Sequence, residues 1–109
     1  MVLTPFNDSL LYSTVEQNLF NITGLKNHSG QIFLDALVSG DSVEIITYIK
    51  DIGAAIFKVY RKETIDFDLD NLANDPVYNI PPVQSDGYKV SIRKISGVDR
   101  TVNWNRYEQ

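Results

Sequence analysis

The chain lacks cysteine altogether, so it forms no disulfide and offers no thiolate to a metal. It has one histidine, His28, which rules out a multi-histidine zinc site. No GxSxG elbow is present, and His28 stands in "NHSG", which reads as a turn rather than as part of a catalytic triad. Apolar runs are short; none approaches the ~18 residues of a membrane span. The first residues, "MVLTPFNDSLLYST", carry neither a basic segment nor a long apolar one, which predicts synthesis in the cytoplasm without a signal peptide. The formal net charge is -4, and such an acidic balance disfavours unspecific binding to nucleic acid or an anionic membrane.

What is present is the material of one all-β domain. The 109 residues are 43% hydrophobic, enough for one core between two packed layers. The dominant period is two. "SVEIITYIK" sets Val43, Ile45, Thr47 and Ile49 against Glu44, Ile46, Tyr48 and Lys50. "QIFLDALV" before it, across the turn "SGD", predicts a hairpin with it. "IFKVYRKETI", "YKVSIRKI" and "RTVNWNRYE" alternate likewise, and Pro76, Pro81 and Pro82 predict that Val77 to Ile80 is only a short edge strand. With "LLYSTV" and "NLFNI" the count is about eight strands. That pattern predicts an antiparallel β-sandwich, jelly-roll-like or Ig-like, with residues 18–109 as the domain and 1–17 as an N-terminal arm or first short strand. The expected core is Phe33, Leu37, Val43, Ile45, Val59, Val90, Ile92 and Trp104.

Three features invite a functional reading. In "DFDLDNLAND", Asp66, Asp68 and Asp70 match positions 1, 3 and 5 of a calcium loop. Asn71 stands where that loop needs glycine, and Val77 where it needs a bidentate glutamate. The first reading is a strand or extended loop with Phe67 and Leu69 inward and the aspartates in water, the second a weak calcium site; no other cofactor is implied. From Tyr88 onward, Lys89, Arg93, Lys94, Arg100 and Arg106 face only Asp99 and Glu108, whereas the rest of the chain has five cations against twelve carboxylates. Such asymmetry suits head-to-tail docking between copies, with Lys89, Arg93, Arg100, Arg106 and Tyr107 as interface candidates. Six tyrosines could stack on sugar rings if exposed, which keeps a glycan- or protein-binding module as the alternative. The three Asn-x-Ser/Thr sequons, at Asn7, Asn21 and Asn27, add little without an export signal.

"QIFLDALVSGDSVEI" and "YKVSIRKISGVDRTVNWNRYE" together resemble small β-sandwich proteins from the virion surfaces of tailed bacterial or archaeal viruses. The resemblance implies a non-catalytic capsid, decoration or turret protein. It would work as a homo-oligomer, with other virion proteins as partners and the virion surface as its location.

Overall fold

The computed structural model describes residues 3–109. It is all-β: six antiparallel strands, and no helix among the described residues. The strands are β1 (Thr4–Leu11), β2 (Gln17–Phe33), β3 (Ser42–Lys50), β4 (Lys58–Asp66), β5 (Val77–Ser96) and β6 (Thr101–Glu108). They form one open sheet in the order β1-β6-β2-β5-β3-β4.

Six strands replace the expected eight because two of them are very long. A straight strand of 20 residues, the length of β5, would span roughly 66 Å at about 3.3 Å per residue. The whole molecule measures 42 Å along its longest axis, so β5 must fold back on itself. β2, its neighbour over 17 residues, bends with it. The ladder between them shifts register between Asn18 and Phe20, between Thr23 and Lys26, and between His28 and Gly30. Bulges of this kind turn a sheet sharply. Pro81 and Pro82 fall inside the last of them, where a missing N–H breaks no ladder bond. They therefore mark a bend within β5 and not the end of a short strand.

β2 and β5 are thus shared by two halves. Their segments near His28–Phe33 and Val77–Val83 continue into β6 and β1. Their other segments continue into β3 and β4. The halves close over one core containing Ile32, Ile80, Val102 and Trp104 from the first and Phe20, Val43, Ile45, Val90 and Ile92 from the second. Phe20 and Trp104 meet across it with ring centroids 5.1 Å apart. The Tyr88 hydroxyl donates to the carbonyl of Pro81, seven residues earlier in the same strand, at 3.0 Å. That bond pins the bend.

Of the expected core, Leu37, Val43, Ile45, Val90, Ile92 and Trp104 are buried. Phe33 is only half-buried, and Val59 is exposed because a bulge in the edge strand β4 sets it opposite Tyr48, on the face away from the core. The predicted hairpin of "QIFLDALV" with β3 does not form, since β5 lies between β2 and β3. β2 ends at Phe33, and Leu34 and Leu37 enter the core from a turn in which the Leu37 N–H donates to the Leu34 carbonyl. The N-terminal segment is a regular strand paired with β6 over eight residues, exposed along nearly its whole length. Tyr12, just beyond it, is fully buried.

Candidate docking site

A recess of mixed polar and apolar lining lies between β4, the turn that follows it and the start of β5. On β4, Arg61, Glu63 and Ile65 pair with Thr47, Ile45 and Val43 and share their inward face, whereas a bulge beyond Arg61 sets Val59 opposite Tyr48 on the outer face. Only Ile65 reaches the core. The recess, of about 310 Å³, opens beside it, with Leu34, Ile65, Leu72 and Val77 as apolar lining and Glu63, Asp70, Asp75 and Arg61 among the polar groups around it. The Tyr78 hydroxyl donates to Glu63 at 3.1 Å, and Arg61 approaches the same carboxylate at 3.6 Å. Burial, followed by the Glu63 charge, pushes the Tyr78 phenol well above its ordinary range, so it acts there as a hydrogen-bond donor.

One wall is the acidic stretch. Phe67 to Asn74 form consecutive turns, closed by Asp70 N–H to the Asp66 carbonyl at 2.9 Å and Leu72 N–H to the Phe67 carbonyl at 3.0 Å. Asn71 takes the left-handed conformation, φ 53°, which asparagine tolerates better than most residues. The three aspartates singled out as a calcium set have other work. Asp66 accepts from the N–H groups of Asp68 and Leu69, Asp70 accepts from the N–H of Asp66, and Asp68 accepts from the Ser39 hydroxyl and Gly40 N–H. Among the described residues, no group of three or more His, Asp or Glu side chains is placed to hold a metal ion. Phe67 packs against the core as expected, but Leu69, expected to face inward with it, is 88% exposed because the chain turns here and does not alternate as a strand would.

The five interface candidates do not gather into one surface. Arg93 binds Glu44 at 2.7 Å, Arg100 is paired with Asp41, and Arg106 binds Glu108 at 3.0 Å while lying 3.7 Å over the Phe6 ring. Lys89 sits 4.2 Å over the Tyr48 ring, and the Tyr107 hydroxyl reaches Gln31 at 3.3 Å. Of the cations in the basic tail, Arg93 and Arg100 are thus met by carboxylates from distant segments, whereas Lys94 and Arg106 pair within the tail, with Asp99 and Glu108. Glu16 joins this outer face: it accepts from Tyr48 and Ser91, and the Tyr48 hydroxyl holds its carboxyl below the usual range.

His28 is not in a turn. It lies in β2, 2% exposed, stacked on Tyr88 with centroids 5.0 Å apart, and neither ring nitrogen has a hydrogen-bond partner. The tyrosines are mostly engaged as well: Tyr12 and Tyr88 are in the core, Tyr48, Tyr78 and Tyr107 are hydrogen-bonded, and Tyr60 is exposed. Sequence reading missed Arg61, Glu63 and Tyr78 as a group, because only the fold brings β4 beside the start of β5. Comparison with protein-family models and with curated proteins finds no match.

Proposed function

We propose that this chain is a non-catalytic structural protein that assembles with copies of itself, as a decoration, turret or minor capsid protein on a virion surface. The observation that carries the reading is apolar surface left in water at both ends of the β3–β4 hairpin. Ile52 and Ile56, in the loop joining the two strands, are 77% and 74% exposed, and Leu69 stands out beyond the other end of β4. Burying an aliphatic side chain of this size stabilises by roughly 1.5–3 kcal/mol. An apolar patch left exposed on a folded domain marks a contact surface, and Ile52 with Ile56 brings two such side chains into one short loop. The resemblance to virion surface proteins supplies the setting, and the bent sheet would serve as a sandwich-like body for a packed lattice.

The test is native mass by light scattering across a concentration series. A discrete oligomer, or growth with concentration, is expected; a 12.4 kDa species throughout would remove the reading.

The recess gives a second reading some weight, since Tyr78, Arg61 and Asn79 beside an apolar floor also suit a glycan- or protein-binding module. That reading predicts saturable amide shifts at Tyr78 and Asn79 on titration with a glycan panel. A flat titration would exclude glycans.

A further inference from the structure

The two sheet edges are poor docking strands. On β1, Pro5 has no N–H to offer, and the Ser9 N–H is taken by the Asp8 carboxylate at 2.8 Å. On β4, Lys58, Arg61, Lys62 and Glu63 fall within one short edge. Addition of a neighbour's strand is therefore discouraged at both sides of the sheet.

The ends of the β3–β4 hairpin differ from each other in a complementary way. At one end the loop "DIGAAIF" presents Ile52 and Ile56, with lysines around its base: Lys50 and Lys89 lie 5.4 and 5.0 Å from the Phe57 ring, and Lys58 is the first residue of β4. Asp51 and Asp86 are there too; Asp51 pairs with Lys58, and Asp86 accepts from the Gly53 N–H and so braces the loop. At the other end the recess has an apolar floor and the acidic groups Glu63, Asp70 and Asp75, offset only by Arg61. The nine residues of β4 separate the two by about 30 Å. Three lysines against two aspartates leave the first an apolar projection with a slight positive balance, and three carboxylates against Arg61 leave the second an apolar hollow with an anionic rim.

We propose that the Ile52–Ile56 loop of one copy seats in the acid-rimmed recess of the next, giving a head-to-tail contact between subunits. This rests on the self-assembly reading and specifies how it is achieved. The contact is heterologous: each copy uses a different surface on each side, so subunits close into a ring or run on as a filament. Opposite charges fix the direction, and burial of the isoleucines supplies affinity.

The experiment uses two variants of the full chain. Ile52→Asp with Ile56→Asp disables the projection; Asp75→Lys with Val77→Lys disables the recess. All four positions are exposed, so both variants should fold, and circular dichroism checks this. Each alone should associate at least about tenfold more weakly than the unaltered chain. Mixed in equal amounts, they should form a dimer and nothing larger, because one intact projection meets one intact recess. Association of either variant at unaltered strength overturns the proposal. So does a mixture that stays monomeric. If the unaltered chain itself is monomeric throughout, the self-assembly reading fails with it; if it assembles and the variants behave otherwise than expected, only the head-to-tail contact fails.

Discussion

Single residues carry two obligations that the rest of the molecule must meet. His28 is buried without a partner for either nitrogen, so only its neutral form suits the site; Arg106 and Lys26 also disfavour the cation, while the nearby Gly24 carbonyl and Glu108 favour it less than burial opposes it. Its pKa is therefore held below the ordinary 6.5. Above that pH the ring is neutral in folded and unfolded chains alike. As pH falls, the unfolded chain takes up the proton first, and stability declines until the folded-state pKa is passed. His28→Phe keeps the stacking on Tyr88 and removes the proton. Urea midpoints measured from pH 7 down to 4.5 should fall more steeply for the unaltered protein than for this variant; parallel curves would show that His28 is not what acid unfolds. Gly97 has a second kind of obligation. It has φ +90°, and a Cβ there would lie 1.9 Å from the Asp41 carboxylate. Gly97→Ala should cost at least about 1–3 kcal/mol, read as a lower denaturant midpoint, because the collision displaces the partner of Arg100.

Among the elements, β5 decides the architecture. Its bend depends on the bulge at Pro81–Pro82 and on the Tyr88 hydroxyl bonded to the Pro81 carbonyl. Tyr88→Phe keeps the ring and leaves that buried carbonyl without its donor, which should cost about 1–3 kcal/mol; an unchanged thermal midpoint would mean the bend is held by packing alone. β1 is the opposite case. Since it buries little, removal of residues 1–11 should leave a folded protein, whereas Tyr12→Ala should cost about 3–5 kcal/mol in cavity and lost burial. Thermal melts of the two forms test the contrast. β3 and β6 were legible in the sequence because each carries a clear period of two, and Val43, Ile45, Val102 and Trp104 face inward as that period requires; β4 was legible as a strand, but its bulge takes Val59 out of phase with Ile65. β2 was not. "ITGLKNHSG" has the glycine and asparagine content of a turn, yet those residues serve a bent strand, and Gly30 allows the Asn105 carbonyl to approach to within 2.6 Å of where a Cβ would sit. The recess was illegible for a related reason: its residues are drawn from β4, a turn and β5, and no local spacing records that meeting.

At the scale of the whole molecule, the acidic and basic regions of the chain do not become acidic and basic faces. Asp41 and Glu44 pair with Arg100 and Arg93 of the C-terminal segment, Glu108 and Asp99 pair with Arg106 and Lys94 within it, and the carboxylates of the turn after β4 are left around the recess. Charge seen along a sequence therefore says little about charge seen by a partner until the strand order is known. The shared ladder of β2 and β5 has a mechanical meaning. Neither half can peel from the other without breaking backbone hydrogen bonds that belong to both, so a pull applied at the β3–β4 hairpin reaches β6 through strands and not through a hinge. A subunit built in this way behaves as a stiff link, and a row of such links would carry load along its length with little stretch in any one of them.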